Sequence, residues 1–221
     1  MAKPLSSDQV LAAARYVACQ RMPYFSTALL NLIPIKVPGF GSFAVSEKGH
    51  MVFDPERAIE WGPDIVATVL LHEVNHVLRD HSGRARRMMV SEANAGAWNA
   101  AVDCEINDDL VISSGMKLPE GYCWLPKDIS CDNGLTAEEY YAKIPVDEKN
   151  QKVLPEMGGD PNGQNSQGPA PPQQGGQCGS GATSHPVPGE PPTTGPNKVP
   201  GRSKAEMKRI ADQCAEQVRN A

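Results

Sequence analysis

The spacing of apolar positions changes character several times along the chain. In residues 7–22, SDQVLAAARYVACQRM, apolar side chains at Val10, Leu11, Ala14, Val17 and Ala18 share one helical face behind a serine cap. A second short helix is expected over 24–33, YFSTALLNLI. The period then shortens to alternation in SFAVSEKGHMVFDP, which reads as a β-hairpin of about 42–46 and 50–53 turning at EKG. Asp54-Pro55 and Gly62-Pro63 each look like a helix start, with proline at the first helical position. The helix from Pro63 carries DIVATVLLHEVNHVLRDH, and another spans roughly Ser91 to Ile112. Over LTAEEYYAKI, Thr136 and Glu139 form a capping box for a short helix. These elements predict a mainly helical α+β fold with a small hairpin or sheet.

After Leu154 the periodicity stops. Residues 155–201 hold eleven Pro and eleven Gly in 47 positions and no Leu, Ile, Phe, Tyr or Trp, so little apolar surface is there to offset ordering entropy. The organisation expected is a folded domain over 1–150, a disordered linker over 151–202 and an amphipathic helix over 203–221. That last helix shows Met207, Ile210, Ala211, Cys214 and Val218 on one face. It must dock back on the domain, bind a partner, or introduce a further domain. Net charge is −5, which favours neither nucleic acid nor an anionic membrane as partner. No apolar run is long enough to cross a bilayer and the first residues lack a signal-peptide core, so a cytoplasmic location is expected. The six cysteines show no C-x-x-C spacing and read as reduced thiols.

Candidate chemistry concentrates in LLHEVNHVLRDH, 70–81, which holds three of the five histidines. His72-Glu73-x-x-His76 is the H-E-x-x-H pattern: two histidines one helical turn apart to hold zinc, and a glutamate as general base toward water. A catalytic zinc site takes three protein ligands. His81 is the nearest third candidate, but nine residues at ~100° each put it on the opposite side of an unbroken helix. It is expected instead as a polar residue near the helix end. Asn99, Asp103 and Asn107 recur every four residues on an otherwise apolar helix, and a buried carboxylate needs a partner. Asp103 is therefore the expected third ligand, with a cap or a salt bridge to Arg84, Arg86 or Arg87 as its plainer alternative. Glu105 points about 200° away from it.

The stretches PYFSTALLNLI, GHMVFDPE, LLHEVNHVLRDHSGR and WNAAVDCEIND…LPEGY, in that order, resemble the "putative metallopeptidase domain" family of bacterial and phage proteins, which lies N-terminal to a von Willebrand A-like domain. The family pattern falls on His72, Glu73, His76, His81, Arg84, Trp98, Asn99, Ala101, Asp103, Ile106 and Asn107. The later CGSGA, 178–182, also looks like a family feature. The resemblance implies a zincin-like metal-dependent peptidase fold, often encoded with an A-like domain and a MoxR-type ATPase as partner. No A-like domain follows Ala221, so a short phage-type member or a fragment is expected.

The leading expectation is a zinc-dependent peptidase acting on protein or peptide, with His72, His76 and Asp103 on the metal and Glu73 as base. The alternative is a catalytically idle metal-binding scaffold that recruits a protein partner. GHMVFDP is a candidate edge strand for an extended substrate, or simply a cover for the core. Cys178 reads as a linker cysteine without a task. Alternatively, as a thiolate, it could occupy the open zinc position and block water. Trp98, Trp124, Tyr140 and Tyr141 are expected in the core, and Arg84, Arg86 and Arg87 as a solvated helix end.

Overall fold

The computed structural model describes residues 4–119, 121–147, 152–154, 178–187, 189–192 and 198–220. The fold is α+β and mainly helical, with a small three-stranded sheet. Helix α1 (Ser7–Arg21) begins at a capping box between Ser6 and Gln9, and its buried Val10, Leu11, Ala14 and Ala18 pack on the long third helix. A 3-10 turn at Pro23–Phe25 leads into α2 (Ser26–Asn31).

Strands β2 (Phe43–Val45) and β3 (His50–Phe53) form the expected antiparallel hairpin, with Gly49 in the turn at φ 73°. Strand β1 (Ile33–Lys36) was not predicted; its IPIK carries a proline and is too short to show alternation. It pairs parallel to β3, giving the order β1-β3-β2. GHMVFDP, expected as a candidate substrate edge, is therefore the central strand, buried along its length. The edge on that side is β2.

Helix α3 (Pro55–Leu78) contains both predicted starts, because Gly62 breaks helical geometry at φ 69°, ψ 173° and Pro63 restarts it. Its stretch Val66–His76 is buried throughout, as expected of the element around which the others pack. Each fully buried Val or Leu there stabilises the fold by roughly 1.5–3 kcal/mol. Helix α3 does not run on past Leu78. Asp80 takes the left-handed conformation (φ 51°, ψ 41°), and α4 (His81–Arg87) leaves in a new direction. Helix α5 (Ala95–Asn107) continues into a π-helical stretch, Asp108–Ser113, and α6 (Ala137–Lys143) starts at the expected capping box. Trp98, Trp124 and Tyr140 are buried in the clusters around α5, as expected, and Tyr141 packs against them.

Two segments of the expected linker and tail pack on this body. Helix α7 (Ser180–Thr183) lies against α4 and α5, and Cys178 and Ala182 share a cluster with Trp98 and Val102. Composition does not reveal this, since glycines and a cysteine order here through contacts made by other elements. Helix α8 (Lys204–Arg219) docks back on α2 and α3, with Ile210 and Cys214 buried in the main core. The stretch 155–177, at the heart of the expected linker, lies outside the described residues. Among the described residues, no helix is long and apolar enough to cross a membrane.

Candidate metal centre

One turn of α3 separates His72 from His76, so both imidazoles leave the same face of the helix. Their Nε2 atoms lie 3.0 Å apart. Helix α5 crosses that face and brings Asp103 Oδ1 to 3.4 Å from His72 Nε2 and 3.6 Å from His76 Nε2. A fourth donor arrives from far along the chain. Cys178 Sγ stands 3.5 Å from His72 Nε2 and 3.4 Å from Asp103 Oδ1. The four atoms lie within 4.8 Å of one another, and all four residues are buried.

The contacts behind the donors fix their orientation. His72 Nδ1 faces Asn107 Oδ1 at 3.1 Å, and Asn107 donates its amide to the Trp124 carbonyl at 2.8 Å. His76 Nδ1 faces His81 Nδ1 at 3.0 Å, and His81 Nε2 faces Glu105 Oε2 at 2.7 Å. Burial pushes His81 down to about 4 against the pull of Glu105, so it is neutral. Burial alone would raise Glu105, but hydrogen bonds from His81 and Arg84 outweigh it and hold the carboxylate at about 2. An ionised Glu105 accepts from His81 Nε2, leaving His81 Nδ1 to accept from His76 Nδ1. With both Nδ1 atoms donating outward, the Nε2 lone pairs of His72 and His76 point at each other.

Two lone pairs, a carboxylate oxygen and a sulfur converging in a fully buried space form a donor set that a cation would satisfy. Hydrogen bonds to Asp103 and Cys178 outweigh burial and raise the His72 pKa well above its usual value, which is the local field expressing the same preference. A proton satisfies one pair of these atoms; a divalent ion satisfies all four. Ligands about 2.0–2.3 Å from a tetrahedral zinc stand roughly 3.3–3.8 Å from each other. Five of the six separations here are 3.0–3.6 Å, close to that frame, and all six lie within 4.8 Å.

Glu73 follows the first of these histidines and is fully buried. Its Oε1 is 3.2 Å from the Tyr122 hydroxyl, and its Oε2 has no hydrogen-bond partner among the described residues. Burial pushes its carboxyl up to about 8.

The expected ligands His72, His76 and Asp103 are thus brought together, with Glu73 beside them. His81 is not on the opposite side. The left-handed turn at Asp80 swings it back behind His76, where it touches His76 and not the other donors. Arg84 is not a solvated helix end either: it joins Glu105 to Glu138. Asp103 makes no pair with an arginine; its Oδ2 accepts from the Trp124 N–H at 3.3 Å and from the Asn99 amide at 3.4 Å. The polar stripe of α5 therefore holds Asp103 through Asn99 and His72 through Asn107. Sequence reasoning missed Tyr122 and Cys123, the latter with its Sγ 3.5 Å from His72 Nε2. Their signals were the LPEGY stretch of the family resemblance, which ends on Tyr122, and their place in the loop after α5. None of the six cysteines forms a disulfide.

The model of a family described as "Putative metallopeptidase domain" matches residues 6–221. The chain belongs to that family. The match takes in the stretch that carries Cys178 as well as α8, so both are part of the family's domain. No curated protein and no solved structure gives a significant match. Family and cluster together make this a candidate metal-binding site in a metallopeptidase-type domain.

Proposed function

We propose that the protein is a zinc-dependent peptidase in which His72, His76 and Asp103 hold the metal and Glu73 is the general base. One observation carries this reading: a buried glutamate with an unpartnered carboxylate oxygen sits one residue after the first of three converging donors. A scaffold has no need of a buried carboxylate beside its metal, because the carboxylate costs desolvation and returns nothing. Zinc bound by such a set acts as a Lewis acid that acidifies water and polarises a carbonyl.

The chain's own residues then have distinct tasks. Glu73 accepts the proton of the attacking water at its carboxylate and returns it to the leaving amine. Tyr122 holds one oxygen of Glu73 and so fixes the direction of the other. Asn107 and His81 hold the two imidazoles with Nε2 toward the metal. Substrates are extended segments of protein or peptide. An A-like domain or a MoxR-type ATPase remains the partner that the resemblance implies.

The test is Glu73→Gln, assayed with zinc bound on a fluorogenic peptide library. Metal content should match the parent while kcat/KM falls by ~10²–10⁴, the usual worth of a positioned base. Undiminished hydrolysis in that variant sinks the assignment. The closed, four-donor geometry favours a second reading, a metal-binding scaffold that recruits a protein partner, since non-catalytic zinc sites are commonly closed. Zinc without hydrolysis in every variant below would select it.

A further inference from the structure

Three of the four donors stand on two packed helices, α3 and α5, whereas the fourth arrives on a segment more than seventy residues downstream. That segment does more than deliver a sulfur. The Cys178 carbonyl accepts from the Val45 N–H at 3.1 Å, and the Ser180 hydroxyl accepts from the Glu47 N–H at 3.3 Å. Val45 belongs to β2, the edge strand of the sheet. An edge strand offers the main-chain groups to which an extended peptide adds by strand pairing.

Two glycines allow the close approach. A Cβ on Gly179 would stand 2.6 Å from the Val45 carbonyl oxygen, and one on Gly181 would meet Val45 Cγ1 at 2.8 Å. The segment is pinned at several of its described residues. Glu190 accepts from the Ser180 N–H and hydroxyl, both at 2.7 Å, and from the Val187 N–H at 3.2 Å. The Trp98 indole donates to the Ala182 carbonyl at 3.1 Å, and Asn99 Oδ1 accepts from the Cys178 N–H at 3.2 Å. With it in place His72, Glu73, His76 and Asp103 have no exposed surface.

We propose that the described residues of the segment 178–190 form a built-in plug, which fills the fourth metal position with the Cys178 sulfur and caps the β2 edge at Val45 with the Cys178 carbonyl. Both are places a peptide substrate needs, so the plug competes with substrate twice. The inference rests on the peptidase reading and adds its regulation. On opening, a metal–sulfur bond would give way to a metal–water bond and the released thiolate would take a proton from solvent, with no change of oxidation state. The three helix-borne donors and Glu73 stay where α3 and α5 hold them.

The full-length protein is loaded with zinc for activity and with cobalt for spectroscopy, in the parent, Cys178→Ala and Gly181→Val. Gly181→Val alters no ligand residue and acts only by pushing the segment, with its Cys178, away from β2, so it guards against a loss of folding in Cys178→Ala. The parent's cobalt form should show a sulfur-to-metal charge-transfer band. That band should vanish in Cys178→Ala with cobalt still bound, and weaken in Gly181→Val. Zinc-dependent peptide hydrolysis should rise at least ~tenfold in both variants, as when no more than about a tenth of the parent is open at a time. A band that persists in Cys178→Ala would name Cys123 as the sulfur ligand and overturn the plug. Equal hydrolysis in all three proteins would also overturn it while leaving the peptidase reading intact. Metal bound by all three with hydrolysis by none would overturn the peptidase reading, and the plug with it.

Discussion

Asn107 and His81 are the residues whose work is easiest to underrate, since neither faces the other donors. Each fixes an imidazole by its Nδ1, at 3.1 and 3.0 Å. Removing such a support typically weakens metal affinity by 10–100-fold without abolishing it. His81→Ala and Asn107→Ala should each fall in that range in a competition titration against a chromophoric chelator, whereas His72→Ala should bind far more weakly. An affinity unchanged in His81→Ala would mean that His76 is held by something else. At this scale the sequence was a good guide wherever physics forced a conclusion. A carboxylate and two amides at every fourth position of an apolar helix must have buried partners, and Asp103, Asn99 and Asn107 all do. Tyr122 was out of reach of such reasoning, because no local pattern says where a loop residue will be carried by the elements on either side, and Cys178 was legible only as an alternative to a linker cysteine without a task.

Helix breaks, more than helices, shape the site. Gly62-Pro63 was legible because glycine and proline announce a break. Asp80 was not, since VLRDHS shows no such residue, and the angular argument that sent His81 to the far side failed with it. The left-handed backbone at Asp80 costs an ordinary side chain about 1–2 kcal/mol and a β-branched one more. Asp80→Val should therefore lower stability by at least ~1 kcal/mol, read as a lower urea midpoint with an unchanged slope. Asp80→Gly, which takes this conformation freely, should stay within ~0.5 kcal/mol of the parent. Equal midpoints for the two variants would show that the turn does not need left-handed geometry. Strand β1 and helix α7 went unread for a related reason: four residues are too few to display a period. The expected hairpin is present, but which strand forms the edge depends on β1, which pairs β3 on its other side.

Across the whole molecule, the candidate metal centre lies where separate elements meet. Helix α3 carries two donors on one face, while Val74 and Val77 of the same helix line a small space closed by α2 and α8. Helix α5 supplies the carboxylate, and Cys178 brings its sulfur beside it. Without a cation, the lone pairs of His72 and His76 confront each other in a space with no exposed surface, beside a buried carboxylate. The apoprotein must therefore open locally, protonate or distort, and each of these costs stability. A ligand that binds only the folded state adds RT ln(1 + [L]/Kd), about 4 kcal/mol at a thousandfold excess over Kd. In a chain of this length each kcal/mol moves Tm by roughly 2–4 °C, so stripping zinc should lower Tm by about 8–16 °C. Thermal melts of the zinc-loaded and chelator-treated parent measure that shift, and Asp103→Ala should show a much smaller one. The same loss should appear whether the protein is a peptidase or a scaffold, which makes it a test of the centre alone. Identical melts with and without zinc would remove the metal from the account, and leave four converging donors with nothing to hold.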